Sequence, residues 1–180
     1  MNHRRYLLDK NLLYVFSEDG NVEQGREDIG LVPGGLRINV HSVPQDSRVY
    51  NVAGETLLLG EKVLSGTIVW GGDFAFVRQD DIEALDVRVV IRSDDGALIE
   101  GEYCGVVAPG PRTFTQVFSE KPKLGSEQSP AELSFHVAPR FRTADPRYKW
   151  LSGRQCLAYG RVKFIECVAR QATLDVWMMD

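Results

Sequence analysis

The sequence lacks the features that mark secreted and membrane proteins. It has three cysteines, Cys104, Cys156 and Cys167, a small and odd number that favours reduced core thiols over a disulfide framework. No apolar run approaches the roughly 18 residues of a membrane-spanning helix. Asp9 and Lys10 interrupt the apolar stretch near the N-terminus, so no secretory signal is predicted. We therefore expect a soluble, cytoplasmic protein with no membrane partner.

The chain is also poor in the residues and motifs that hold cofactors. Its three histidines, His3, His41 and His136, have no spacing typical of a metal site. The glycine pairs at 34–35 and 71–72 lack the Lys-Ser/Thr that follows a phosphate-binding loop. We predict no metal and no cofactor. The net charge of -4 also argues against a nucleic-acid partner, although residues 136–150 carry four cationic side chains.

Short apolar runs separated by Gly, Asp and Pro fill most of the chain, a pattern typical of all-β sandwiches and barrels. The clearest run spans residues 85–106. In its first half, apolar residues alternate with Asp86, Arg88 and Arg92, as they do in a half-buried strand. A turn at 93–96 follows, and then a second strand. We predict a β-hairpin here.

Further runs of the same kind bring the predicted strands to about nine. They are NLLYVFSED, GLRINVHSV, LSGTIVW, DFAFVRQ, LSFHVAP, QCLAYGRVKFI and ATLDVWMM. One short helix is predicted near 113–119, in a long polar loop at about 108–130. With 180 residues and 43% hydrophobic content, the chain fits a single domain, 1–180. Trp177 and Met179 make the last strand apolar on both faces, which predicts a covered edge or a homo-oligomer contact.

Two blocks, residues 66–105 and 134–162, carry a pattern that resembles a known bacterial family. The matching positions are Gly71, Gly72, Asp73, Val77, Arg78, Leu85, Asp86, Arg88, Asp94, Asp95, Gly96, Ala97, Ala138, Pro139, Arg140, Phe141, Thr143, Tyr148, Trp150 and Leu151. On these residues the sequence resembles the domain of unknown function 3237 family, also called uncharacterised protein family 0311. It departs from that family at Phe74, where the family has Trp, and at His136, where the family has Arg.

The resemblance implies a single antiparallel β-barrel of about eight to nine strands, similar to allene oxide cyclase and dirigent proteins or to calycins. Most members of the family have no assigned activity, so the function has to be inferred from the residues. A small barrel holds either side chains or one small ligand, which enters through one mouth. We therefore expect the functional residues among the inward polar side chains and around that mouth.

Asp73 is the first candidate catalytic residue. It follows a Gly-Gly pair and lies between Trp70 and Phe74. In such an aromatic setting, loss of hydration would raise the pKa of the carboxyl group toward that of a useful general base. The structural alternative is a turn cap that follows the glycines.

His136 and Arg88 are the other two candidate catalytic residues. His136 would exchange a proton with a ligand if it faced a partly polar interior; the alternative is a solvent-facing position on the outside of the barrel. Arg88 would hold a carboxylate or enolate if it pointed inward. Its alternative is a solvated outer face, shared with Asp86 and Arg92 and stabilised by cross-strand ion pairs.

These residues predict a cofactor-independent enzyme that acts on a small apolar or aromatic metabolite by proton transfer, as an isomerase, lyase or cyclase. Asp73 would act as base and His136 as acid, and Arg88 or Arg140 would stabilise negative charge. The predicted substrate-binding residues are Trp70, Phe74, Tyr103, Arg140, Tyr148 and Trp150, the last two as a wall at the mouth. The alternative is a lipocalin-like binding or carrier protein that performs no reaction.

Overall fold

Antiparallel strands make up nearly all of the chain that the computed structural model describes, namely residues 12–21, 24–32, 35–42, 48–50, 64–80, 82–107, 131–165 and 168–179. The strands are β1 (Leu12–Asn21), β2 (Gln24–Val32), β3 (Gly35–Ser42), β4 (Arg48–Tyr50), β5 (Gly66–Asp73), β6 (Phe76–Arg78), β7 (Glu83–Ser93), β8 (Leu98–Val107), β9 (Ala131–Arg142), β10 (Cys156–Ile165) and β11 (Val168–Met179). One helix, α1 (Lys149–Ser152), precedes β10. The predicted helix near 113–119, the loop at 108–130 and Cys167 lie outside the described residues.

These strand segments combine into a closed barrel. β1 pairs with β4, and β2 pairs with β3. β5 and β6 both pair with β7. The chain then continues through β8, β9, β10 and β11 as an antiparallel meander. β11 pairs with β1 from Leu12 to Asn21, and β4 bridges β1 and β5, so the sheet closes on itself. The predicted fold class, an all-β antiparallel barrel, is confirmed.

The alternation of apolar and polar residues decides which face of each strand lies inside. On β7, Val89 and Ile91 are buried, whereas Arg88 just before them and Arg92 just after them are exposed. Their partners on β8 alternate in the same way, because residues directly opposite one another in an antiparallel pair project from the same face. The predicted hairpin is present, and Gly96 takes the positive φ of 90° that its turn requires.

One end of the barrel is filled by the segment that leads into β10. Leu151 of α1 is fully buried in the same core as Ile91, Ile99 and Phe141. This segment is tied to the β7–β8 turn, because the Tyr148 hydroxyl donates a hydrogen bond to Asp95 at 3.0 Å. We refer to this as the packed end of the barrel. No described helix is long and apolar enough to cross a membrane.

Two predictions about strands need correction. The runs LSGTIVW and DFAFVRQ correspond to β5 and β6, but β2 and β4 were not predicted. The last strand, β11, is not an edge, because it pairs with β10 on one side and β1 on the other. Trp177 on its outer face is nonetheless fully buried, while Met179 is exposed.

The close approach of β8 and β9 depends on a glycine. A Cβ atom at Gly105 would overlap the carbonyl oxygen of His136 and lie 2.7 Å from the Cα atom of Val137. We expect Gly105→Ala to lower the free energy of unfolding by about 1–3 kcal/mol, or the melting temperature by about 3–10 °C. Gly153→Ala is the matched control, since nothing lies within 4 Å of its Cβ position. Equal melting temperatures for the two variants would contradict this prediction.

Candidate functional site

Two carboxyl groups lie on the inner face of the barrel, at the end opposite the packed end. Asp73, the last residue of β5, is directly opposite Val87 on β7, and Val87 is opposite the buried Tyr103. Glu83, the first residue of β7, lies between Val77 and Val107, both buried. Because opposite residues share a face, both carboxyl groups project inward. We call Asp73 and Glu83 the inner carboxylate pair.

Asp73 is held in place by the neighbouring strand β7, through Asp86. The backbone N–H of Asp86 donates a hydrogen bond to its Oδ1 at 3.2 Å, and the N–H of Phe74 donates to the carbonyl of Asp86 at 3.0 Å. Burial raises the pKa of Asp73 to about 7, and the nearby charge of Asp86 adds to this rise, against the lowering effect of the backbone hydrogen bond. Near neutral pH the group therefore exchanges readily between its two forms.

Glu83 has a less polar environment than Asp73. It makes no hydrogen bond or ion pair with any residue in the described part of the chain. Burial raises its pKa to about 8, and the charge of Asp73 contributes further. Because each charge affects the other, the two groups titrate as a pair. At neutral pH the carboxyl group of Glu83 is mostly protonated.

The two strand neighbours of Glu83, Val77 and Val107, belong to a cluster of apolar side chains at this end of the barrel. This cluster is the apolar collar, which consists of Val77, Leu85, Val107, Leu133, Phe135, Val162 and Phe164. Leu85 and Phe135 face inward yet are only half-buried, whereas Ile91 and Ile99 at the packed end are fully buried. The interior therefore keeps accessible apolar surface at the end that holds the carboxyl groups.

The other two predicted catalytic residues lie elsewhere. Arg88 is exposed on the outer face of β7 and its Nε lies 3.2 Å from Asp86, which is the outer-face alternative. His136 is exposed on the outer face of β9, with its ring 5.2 Å from that of Tyr159. An inward position for either side chain would break the alternation that buries Val89 and Val137. The structure does not bring Arg88 or His136 together with Asp73.

The predicted wall at the mouth lies at the opposite end from the inner carboxylate pair. Tyr148 is buried, and Trp150 is partly buried against the core of the packed end. Arg147 pairs with Asp95 at 2.8 Å and with Asp145 at 2.7 Å, so this segment is joined to the β7–β8 turn. Tyr148 and Trp150 therefore close the packed end of the barrel and do not line an open mouth near Asp73.

The remaining predicted binding residues are divided between the two faces. Tyr103 projects inward, where its ring packs edge-on against Phe141 at 5.9 Å. Trp70 and Arg140 are exposed on the outer face, Trp70 because a β-bulge interrupts β5 just before it. Phe74 is half-buried beside Asp73 in the chain. Of this group, Tyr103 lies on the inner face, opposite Val87, which is itself opposite Asp73.

One group of side chains in the described part of the chain has atoms spaced like metal ligands. It consists of Asp86, Glu102 and Cys104 on the outer face, with their ligand atoms within 4.8 Å of one another. Arg88 already binds Asp86, and burial raises the pKa of the Cys104 thiol, which keeps it protonated. A thiol is a poor metal ligand, so this group does not define a metal centre.

Comparison with curated proteins identifies short regions of clear similarity. A UPF0311 protein of Rhodopseudomonas palustris is 32% identical over 92 residues, which cover 51% of this chain and 57% of the relative. A UPF0311 protein of Clostridium acetobutylicum is 36% identical over 88 residues, covering 48% of this chain and 52% of the relative. The chain thus spans little more than half the length of the curated relatives it matches.

Comparison with solved structures extends over nearly the whole chain. A protein of unknown function from Clostridium acetobutylicum has a TM-score of 0.70 at 22% identity, covering 94% of this chain and 99% of that one. A β-barrel like protein from Acinetobacter baumannii has a TM-score of 0.65 at 19% identity, covering 94% and 95%. An enzyme from Penicillium herquei has a TM-score of 0.56 at 16% identity, covering 94% of each. At these identities the likeness concerns the fold alone.

The family itself is identified from the sequence. The profile of a family described as "Protein of unknown function (DUF3237)" matches residues 32–178, which include β3 to β11 and both inner carboxyl groups. The chain belongs to the DUF3237 family of proteins of unknown function.

Proposed function

We propose that this protein is a cofactor-independent enzyme that moves protons on a small apolar or aromatic molecule bound in the barrel. The observation that carries the proposal is the inner carboxylate pair, two carboxyl groups that face an accessible apolar interior. Enzymes that catalyse acid–base chemistry near neutral pH need groups whose pKa values lie close to the working pH. Isomerisation, elimination and cyclisation all proceed by such steps.

Asp73 is the base in this proposal and Glu83 is the acid. The pKa of Asp73, about 7, leaves a large ionised fraction at neutral pH, and the pKa of Glu83, about 8, leaves that group mostly protonated. Two carboxyl groups with different environments can therefore take opposite roles in one reaction. The apolar collar would hold the body of the molecule and exclude water, which strengthens each electrostatic interaction.

The likeness to a solved structure called an enzyme is compatible with this proposal but does not specify the reaction. A binding or carrier protein is the second candidate, because the apolar collar would hold a ligand equally well if no reaction followed. The two functions differ in whether the molecule that enters the barrel leaves unchanged. They are separated by product analysis after incubation with a panel of uncharged apolar metabolites.

The pH dependence of turnover tests the roles of the two carboxyl groups. For a compound that the panel shows to be converted, we expect kcat/KM to rise as pH passes about 7 and to fall beyond about 8. The rise follows ionisation of Asp73 and the fall follows loss of the proton from Glu83. The two limbs belong to the pair because the groups are coupled. A rate independent of pH across this range would contradict the proposal, and binding without conversion would favour the carrier.

A further inference from the structure

The charges around the inner carboxylate pair restrict the kind of molecule that it accepts. Every Lys, Arg and His whose side chain the structure describes is solvent-exposed. Asp73 and Glu83 are therefore not offset by a buried cation among those residues. An anionic ligand, such as a carboxylate or a phosphate, would meet the charge of Asp73 without a described inward cation to offset it. An uncharged ligand meets no such penalty.

Glu83 adds a hydrogen-bond donor to this environment. A protonated carboxyl group has one O–H donor, and this one has no acceptor in the described part of the chain. The side chain of Glu83 is half-buried, so water reaches this donor, and a ligand that supplies an acceptor oxygen would take the place of that water. Glu83 lies between Val77 and Val107 of the apolar collar, so a carbonyl oxygen on an otherwise apolar molecule suits this position.

We propose that the substrate is an uncharged, enolisable carbonyl compound, with its carbonyl oxygen on the carboxylic acid of Glu83 and an α-carbon facing Asp73. This inference rests on the proposed function and adds the chemical class of the substrate to it. A carboxylic acid that an apolar site keeps neutral is a suitable donor to a carbonyl oxygen that gains negative charge. A single carboxylate on the other side suffices as the base.

The step balances without any further reactant. The carboxylate of Asp73 takes a proton from the α-carbon, and the electron pair of that C–H bond becomes the C=C bond of an enolate. The carbonyl π pair moves to the oxygen, which Glu83 stabilises by donating its proton in a hydrogen bond. Asp73 then returns the proton to the same carbon or to another carbon conjugated with it, and the carbonyl re-forms. Nothing is oxidised or reduced.

Exchange of α-protons measures this step directly. The probe is 2-tetralone, an uncharged aromatic ketone, dissolved in deuterated buffer at about pH 7.5 and followed by proton NMR. We expect the wild-type protein to accelerate the exchange over buffer and Glu83→Leu to lose about 10²-fold of that acceleration. Glu83→Gln keeps an N–H donor, so its loss is smaller. Glu100→Gln is the matched control, since that exposed carboxylate on β8 faces outward.

Binding provides a second measurement that does not depend on turnover. We expect 2-tetralone to raise the melting temperature of the wild-type protein, and naphthalene-2-carboxylate, which has a similar shape and a negative charge, to raise it much less. Glu83→Leu should lose binding of the ketone while folding normally, because leucine matches the apolar collar. A folded variant that binds and exchanges the ketone as the wild type does would overturn the role of Glu83.

The outcomes separate this inference from the proposed function. If Asp73→Asn stops the exchange while Glu83→Leu does not, Asp73 remains the base and the inference is wrong. The inference also fails if another compound is converted and 2-tetralone is neither bound nor exchanged, or if the naphthoate binds as tightly as the ketone. If the exchange continues undiminished in Asp73→Asn, the proposed function fails, and this inference fails with it.

Discussion

Replacing Asp73 with asparagine is expected to lower turnover by about 10²- to 10⁴-fold and to leave ligand binding nearly unchanged. The amide has the same shape as the carboxyl group and its oxygen still accepts the hydrogen bond from the backbone N–H of Asp86. What it loses is the ability to take a proton. The measurement compares kcat with the ligand-induced rise in melting temperature for the two proteins.

Variants of the outer face serve as controls for this prediction. Arg88→Gln and His136→Gln remove the other two residues that the sequence suggested for catalysis, and both lie outside the barrel wall. We expect each to keep turnover within about twofold of the wild type. Full turnover in Asp73→Asn would contradict its role as base. A loss in Arg88→Gln as large as that in Asp73→Asn would mean that the outer face takes part in the reaction.

The stability of the protein is expected to fall as pH rises, because of the inner carboxylate pair. The pKa values of Asp73 and Glu83 are raised from 3.8 to about 7 and from 4.5 to about 8. A raised pKa means that the folded state favours the protonated form more than the unfolded state does. Below about pH 4 both states are protonated and the pair has no effect. Between about pH 4 and 8 the unfolded chain ionises first, and the folded state loses relative stability.

The double variant Asp73→Asn, Glu83→Gln isolates this effect. At about pH 9 we expect it to be more stable than the wild type by a few kcal/mol, or about 10 °C in melting temperature, and at about pH 4 to melt like it. Other ionisable groups act equally in both proteins and cancel in the comparison. The single variant Glu100→Gln is the control, and its melting temperature should equal that of the wild type at every pH. A constant difference between the double variant and the wild type would show that burial does not perturb these groups.

The inner carboxylate pair was only half predictable from the sequence. Asp73 follows two glycines among aromatic residues, which suggested a desolvated carboxylate. Glu83 was missed because the predicted strand began at Leu85, two residues after it. A usable signal was nevertheless present. Glu83 is two residues before Leu85, so it belongs to the apolar face of β7 that continues through Val87.

Local pattern and long-range pairing differ in how far the sequence reveals them. The β7–β8 hairpin was predicted except at its open end, where β7 begins at Glu83, because its alternation and its turn lie close together in the chain. The outward positions of Arg88 and His136 follow from the same alternation, but the sequence alone does not say which face of a strand meets the interior. The positions of Tyr148 and Trp150 depend on α1 turning back over the core, a tertiary contact without a local signal.

The pairing of β1 with β11 has a consequence for how the chain reaches this structure. The two strands come from near opposite ends of the described chain. Closing so long a loop costs more entropy than forming a local hairpin, so we expect this pairing to form late in folding. Until β11 enters between β1 and β10, both of those neighbours keep a row of unpaired backbone groups. An incomplete chain thus offers two open edges to other molecules. Docking of β11 covers both edges at once, so it removes two surfaces on which partly folded molecules aggregate.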